Sequence, residues 1–413
     1  MKYLVLVGDG MADYAIPEIG DKTPLEVAKI PNMNYLANNG KVGLIHTIPK
    51  DFSPASDVAN LSILGYDPVK YYSGRGPLEA ANIGVALGPE DIAFRCNVVT
   101  VDREKMVDYS AGHISSEEAA TLIKFLDKNI GSDKIRFYPG VSYRHLMVVR
   151  DKPLREALQK IKCHPPHDIT GLNIKEYLPK GEASEFLVKL MEDSRPLLAG
   201  HEINRVRIDL RENPANMIWL WGQGIETDMP KFKDKFGVEG SVISAVDLIK
   251  GIGKIVGLNV IDVPGATGYY DTNYQGKAKY ALNSLKDRDF VFVHVEAPDE
   301  AGHNGDLRAK IGAIENFDRF VVGAILDRFK KLKNFRLAVL PDHPTPVSLR
   351  THTDEPVPFV IYGKDIEPGM TPVFNETAAK NSEFVFERGH ELMEYLINSP
   401  PKADSPQAKK IKN

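Results

Sequence analysis

Phe335-Arg336-Leu337-Ala338-Val339-Leu340-Pro341-Asp342-His343-Pro344-Thr345-Pro346 is an apolar run of strand length that stops at a proline and delivers a carboxylate and an imidazole side by side. Three other segments repeat the pattern. Tyr3-Leu4-Val5-Leu6-Val7 ends in Gly8-Asp9-Gly10, the strand-like run Phe290 to Val295 leads into Asp299-Glu300-Ala301-Gly302-His303, and His352 precedes a run from Val357 to Tyr362. Strands that read as buried and carry Asp or His at their ends point to an open α/β sheet, in which ligands bind beyond the carboxyl ends of the strands. Three carboxylates (Asp9, Asp299, Asp342) and three imidazoles (His303, His343, His352) are thereby expected to converge. Mixed Asp/His sets of this kind suit a pair of divalent ions, with manganese, zinc, magnesium and cobalt all compatible.

Working outward, Ser53-Pro54-Ala55-Ser56-Asp57-Val58-Ala59-Asn60 reads as the start of a short helix stopped at Gly65, with Ser56 where an N-cap would stand. A serine there caps the helix, and its hydroxyl also faces free N–H groups that favour an alkoxide or a bound phosphate. Tyr72-Ser73-Gly74-Arg75-Gly76-Pro77 is a glycine-flanked arginine that either clamps an anion or decorates a turn. Neither a Walker loop nor a dinucleotide fingerprint is present. Cys163-His164-Pro165-Pro166-His167-Asp168 superficially resembles a metal cluster, but its two prolines and missing second cysteine pair favour a rigid substrate or interface loop.

The metal-type residues come from two separated blocks, residues 1–90 and 241–413, while residues 91–240 carry strands, an amphipathic helix opened by Ser115-Ser116-Glu117-Glu118, and scattered basic groups. The expected fold is therefore α/β: a sheet domain with helices on both faces, interrupted by an inserted α/β domain at 91–240. Helices are expected over residues 243–250 and 310–329, and residues 400–413 read as a flexible Lys/Pro-rich tail. Basic residues of the insert, His113, Arg144, His145 and Arg205, together with Arg75, are candidates for bidentate recognition of a carboxylate or phosphate.

Composition excludes several function classes. Lys plus Arg total 52 against 56 for Asp plus Glu, and the net charge of -4 gives no positive field for nucleic acid or an anionic membrane, leaving a small-molecule partner. No run approaches the roughly 18 to 20 apolar residues of a membrane span. Two cysteines far apart, Cys96 and Cys163, predict a reducing compartment, read here as cytoplasmic.

Five motifs in order, Gly8-Asp9-Gly10, Ser56-Asp57-Val58-Ala59, Pro298-Asp299-Glu300-Ala301-Gly302-His303, Pro341-Asp342-His343 and Arg350-Thr351-His352-Thr353-Asp354-Glu355-Pro356, resemble the metal-site motifs of cofactor-independent phosphoglycerate mutases of the alkaline phosphatase superfamily, archaeal-type branch. The resemblance runs through essentially the whole chain except the tail. It implies an alkaline-phosphatase-like sheet domain in which Asp9, Ser56, Asp342 and His343 hold one ion and Asp299, His303 and His352 the other. It further implies that Ser56 accepts the phosphoryl group during interconversion of 3- and 2-phosphoglycerate, that no 2,3-bisphosphoglycerate is required, and that the insert binds substrate through Ala111-Gly112-His113-Ile114-Ser115 and Tyr143-Arg144-His145. The Pro344 that follows His343 departs from the bacterial branch, which has glycine there. A metal-dependent phosphatase, phosphodiesterase or other phosphomutase shares the same core motifs. A non-catalytic metal-binding protein has no need of a serine among the ligands.

Overall fold

The computed structural model describes residues 1–330, 334–369 and 371–398, so the expected tail lies outside the described residues. In chain order its strands are β1 (Lys2–Gly8), β2 (Lys41–Ile45), β3 (Asp91–Asp102), β4 (Lys105–Asp108), β5 (Ile135–Val141), β6 (Arg144–Arg150), β7 (Met217–Gly224), β8 (Gly240–Ile243), β9 (Asn259–Val260), β10 (Phe290–Val295), β11 (Phe335–Leu340), β12 (Val357–Gly363) and β13 (Val385–Phe386). The chain divides into two compact units, one of Met1–Tyr72 with the chain from Met229 onward, the other of Ser73–Asp228.

In the first unit an eight-stranded sheet has the order β13-β2-β12-β11-β1-β10-β8-β9. Only β12 runs against the others within it, pairing antiparallel with both β11 and β2. The central strands read as unbroken apolar runs because helices cover both faces, as parallel sheets require. Leu4, Leu6, Val291, Val293, Leu337 and Val339 pack with Phe317, Val321, Ile325 and Leu326 in one fully buried core. Each such side chain contributes about 1.5–3 kcal/mol by leaving water.

Register does the positioning. Val7 pairs with Leu340 and Gly8 with Val295, so the residues that follow β1, β10 and β11 emerge beside one another at one sheet edge. Because β12 is antiparallel, the loop before it, which carries His352, lies at that same edge.

Two local expectations change. Residues 243–250 are not one helix: Gly240–Ile243 is a parallel strand on β10, and the helix begins only at Asp247. The long helix expected over 310–329 is two α-helices, Leu307–Asn316 and Gly323–Phe329, joined through a π-turn at Phe317–Val322. That turn carries the buried Asp318, whose carboxylate accepts from the N–H groups of Asn32 (3.2 Å) and Met33 (2.7 Å). It thus satisfies the first turn of the helix Pro31–Asn39, whose own N-cap, Ile30, has no side-chain acceptor.

The second unit is an antiparallel sheet of β4-β3-β6-β5 with β7 also paired to β3. Helices Ser116–Ile130 and Ser184–Ala199 bury Leu122, Ile123, Leu126, Leu187 and Met191 against Phe94, Cys96, Val98 and Trp219. Ala80, from the helix Arg75–Ile83, packs with Ala93, Leu146 and Val148 in a separate cluster. This packing is why the unit begins at Ser73 rather than near residue 91. A Cβ on Gly76 would sit 2.2 Å from the Ala93 carbonyl and one on Gly74 1.9 Å from the Gln223 carbonyl, so only glycine lets that helix lie this close to β3 and β7. Cys96 and Cys163 are both free, and no helix among the described residues is long and apolar enough to cross a membrane.

Candidate active site

Asp9 follows β1, with Gly10 at φ +58 directly after it. A Cβ on Gly10 would lie 2.4 Å from Thr345 Oγ1 and 2.7 Å from the Asp299 Cα, so the turn admits no side chain. The Gly10 N–H donates to Asp342 Oδ1 (3.0 Å), as does the His343 N–H (3.0 Å). Asn60 Nδ2 donates to Asp342 Oδ2 (2.7 Å) and to the Ser56 carbonyl (2.8 Å), tying the serine helix to β11.

Ser56 is the first residue of the helix Ser56–Ile63, and the N-cap is Ala55, which makes no side-chain cap. The expected capping role is therefore not what the hydroxyl does. Ser56 Oγ instead stands 3.0 Å from His343 Nε2. His343 is fully buried, and burial draws its pKa down to about 4, which keeps the ring neutral at neutral pH.

Two groups of three donors form here. One ligand atom from each of Asp9, Asp342 and His343 lies within 4.8 Å of the others, and the same holds for Asp299, His343 and His352, so His343 borders both. His303 joins the second group, with Nε2 3.3 Å from Asp299 Oδ2 and 2.8 Å from His352 Nε2. His303 Nδ1 lies 3.0 Å from the Arg350 carbonyl and His352 Nδ1 3.4 Å from the Pro54 carbonyl. Carbonyls only accept, so those nitrogens carry protons, and the two Nε2 atoms face one another beside a carboxylate. Such an arrangement is relieved by a shared proton or by a cation.

The donor set fits divalent metal. Asp9 Oδ1 is buried without a hydrogen-bond partner. Burial, followed by the Asp342 and Asp299 carboxylates, holds the Asp9 pKa well above the usual carboxyl range, a repulsion that a cation between them would remove. Burial would also raise Asp299, but His352 and His303 outweigh it and hold Asp299 well below the ordinary range. His303 is pushed up to about 9: burial lowers it, and Asp299 more than compensates.

Thr345 escapes the sequence reading. Its hydroxyl donates to Asp299 Oδ1 and lies 3.3 Å from His343 Nδ1, linking Asp299 to the residue that both groups share. Asn60 escapes it too, as does a buried row of His294, Glu296 and Lys277 behind Asp9. The signal for that row was legible: two ionisable residues at the end of the apolar run Phe290 to Val295 need buried partners.

The second unit has a basic cluster of its own. Arg95, 7% exposed, stacks 4.5 Å from the Trp221 ring, with Arg75 5.3 Å from the same ring and Arg144 5.6 Å from Tyr143. Burial lowers the Arg95 pKa; Glu79, 3.3 Å away, opposes that, and the Arg75 and Arg144 cations add to it. A register shift in the β3–β7 pairing falls between Ala93 and Arg95, where a bulge redirects the strand. His113, at φ +51, stands edge-on to Tyr143 at 6.2 Å. His145 is buried, its Nδ1 accepts from the Gly140 N–H (3.0 Å), and burial draws its pKa down to about 3. Arg205 is exposed on the helix Glu202–Asp209, whereas Arg207 on the same helix is buried against the carbonyls of Ala111 and Asn213. The proline loop brings His167 to 5.4 Å from Trp221.

An α/β sheet that gathers carboxylates and imidazoles around a serine hydroxyl is an arrangement suited to enzymes that act on phosphoryl groups. Comparison with known proteins agrees. A family model for 2,3-bisphosphoglycerate-independent phosphoglycerate mutase matches residues 37–204. A protein of that name from Methanosarcina acetivorans is 52% identical over 399 residues, 96% of this chain and 100% of its own. Among solved structures, a Pyrococcus horikoshii protein aligns with TM-score 0.81 and 31% identity over 96% of each chain. The cofactor-independent phosphoglycerate mutase of Thermoplasma acidophilum aligns with TM-score 0.64 and 27% identity over 96% of this chain and 99% of its own. The chain belongs to the 2,3-bisphosphoglycerate-independent phosphoglycerate mutase family and is an isomerase.

Proposed function

We propose that this protein interconverts 3-phosphoglycerate and 2-phosphoglycerate in glycolysis and gluconeogenesis through a phosphoserine at Ser56, with Asp9, Ser56, Asp342 and His343 holding one divalent ion and Asp299, His303 and His352 a second. The observation that carries the reading is the Ser56 hydroxyl 3.0 Å from His343, at the border of two donor groups. Ions bound there supply positive charge that lowers the pKa of a neighbouring hydroxyl and neutralises the transferring phosphoryl oxygens.

The remaining chemistry belongs to the chain. A mutase that uses no bisphosphorylated helper needs a protein atom to hold the phosphoryl group while glycerate turns. Ser56 Oγ forms a bond to phosphorus as the bond from phosphorus to the 3-oxygen breaks, and the serine proton ends on that oxygen. The 2-hydroxyl then takes the phosphoryl group, and its proton returns to Ser56. His343 Nε2 stands 3.0 Å from Ser56 Oγ, so an ion held by His343 would lie beside the serine oxygen. In the second unit, Arg75, Arg95 and Arg144 suit recognition of the substrate's carboxylate or phosphate, since guanidinium groups bind both in two-point contacts. His113 beside Tyr143 is assigned to the same task. His145 is assigned to shaping the β5–β6 turn, because its ring is buried and bonded to Gly140. Two free cysteines fit a reducing, cytoplasmic setting.

Product identity tests this. Supplied with 3-phosphoglycerate and Mn2+, and coupled to an enolase, the protein is expected to form 2-phosphoglycerate with little inorganic phosphate. Stoichiometric phosphate release without 2-phosphoglycerate would instead assign it as a hydrolase.

A further inference from the structure

Behind Asp9 runs a row of charged side chains that the reaction above does not use. His294, in β10, is fully buried. Its Nε2 lies 3.3 Å from Asp9 Oδ2 and 3.7 Å from Asp342 Oδ2, and its Nδ1 lies 3.3 Å from Glu296 Oε1. Glu296 Oε1 also accepts from Ser244 Oγ (2.8 Å) and the Ala245 N–H (2.7 Å), while Oε2 pairs with Lys277 Nζ. Lys277, fully buried on the helix Tyr274–Ser284, donates in addition to the His294 carbonyl (2.8 Å).

Desolvating three charged side chains costs several kcal/mol per ion before their mutual attraction is counted. Packing alone gives no reason for them, since an apolar trio of the same volume would fill the space. What the row does have is a direction. It starts at the Lys277–Glu296 ion pair, passes through an imidazole whose Nδ1 faces Glu296, and through the ring's Nε2 reaches Asp9 Oδ2 at 3.3 Å, with Asn60 Nδ2 also 3.3 Å from that Nε2. The other oxygen, Oδ1, is buried without a hydrogen-bond partner. The two Asp9 oxygens face different groups: Oδ2 lies nearest His294, whereas Oδ1 lies 3.5 Å from His343 Nε2, within the candidate metal group.

We infer that the Lys277–Glu296–His294 row is a positioning device that holds Asp9 Oδ2 so that Oδ1 is presented to a divalent cation. The inference rests on the metal reading of the Asp9, Asp342 and His343 group. A carboxylate rotates about its last bond at little cost, and a ligand held in place binds metal more tightly than one that must be immobilised on binding. His294 is a positioning residue, acting through Asp9. Glu296 and Lys277 act through His294, and their effects should diminish with distance along the row.

The test is calorimetric titration of metal-stripped protein with Mn2+, without substrate, on the wild type and on His294→Phe, Glu296→Gln and Lys277→Met. Wild-type protein taking up two equivalents is the control, and absence of uptake there would remove the metal reading itself. Given that uptake, Glu296→Gln, which keeps the side-chain shape, is expected to weaken one of the two sites 10- to 100-fold, the range for loss of an outer hydrogen-bond partner. His294→Phe should weaken that site at least as much and Lys277→Met less. The second site should keep its affinity in all three. If a variant does not fold, the decision passes to those that do, Glu296→Gln first. Variants that lose thermal stability while binding both equivalents with wild-type affinity would show a purely structural row and overturn the proposal.

Discussion

Ser56 and Gly10 show how single residues carry the site. A serine that opens a helix is ordinarily its cap, yet here Ala55 occupies the cap position and the Ser56 hydroxyl is spent on His343. A one-position shift separates a capping serine from one whose hydroxyl is free to face His343, and sequence patterns do not resolve helix starts that finely. Gly10 is the reverse case, since its need is steric and invisible until Asp299 and Thr345 close over it. Gly10→Ala combines a left-handed backbone with a Cβ pressed on the Asp299 backbone. It is expected to cost the metal-free protein about 1–3 kcal/mol in urea denaturation. A loss below about 0.5 kcal/mol would mean that the turn relaxes and does not hold the two groups together.

At the scale of elements, the strands that build the site were legible because parallel strands buried on both faces are apolar throughout and end abruptly. The short β8 and the π-turn were not, the first because four residues set no period and the second because it answers to Asp318 and a distant helix end. The helix Glu376–Lys380 offers a test at this scale. Its first residue, Glu376, is buried, accepting from Thr23 Oγ1 (2.6 Å) and the Asp13 N–H (3.1 Å). Burial pushes its pKa up from 4.5 to about 7. Between those values the folded protein binds more protons at this group than the unfolded chain does. The stability it contributes is therefore full below 4.5 and is lost as pH rises through about 7. Glu376→Gln, which cannot ionise, should flatten that segment of the stability profile relative to wild type when metal-free proteins are compared from about pH 5 to about pH 8. Parallel profiles for the two would contradict the assignment.

For the molecule as a whole, an α/β sheet domain interrupted by a second domain was readable from where the candidate metal-binding Asp and His residues fall, in two blocks on either side of residues 91–240. The junctions were not readable. The helix Arg75–Ile83 belongs to the second unit because Gly74 and Gly76 press its start onto β7 and β3, a tertiary fact with no local signature. Arg95 was not singled out for a similar reason: a lone arginine inside an apolar strand shows no partner in sequence, and only the folded sheet sets it between Trp221 and Glu79. The six candidate Asp and His ligands stood out because each follows or precedes a strand; the groups that contact them, Thr345 and Asn60, did not, because a hydroxyl or an amide has no pattern of its own.

The proposed reaction turns on a phosphoryl group resting on one particular oxygen. Metal-loaded protein is mixed with 3-phosphoglycerate carrying radioactive phosphorus, quenched in acid during turnover, digested and mapped by mass spectrometry. The expected result is label on the peptide containing Ser56, and on that serine. Turnover to 2-phosphoglycerate with no protein-bound label, or with label on another residue, would contradict it.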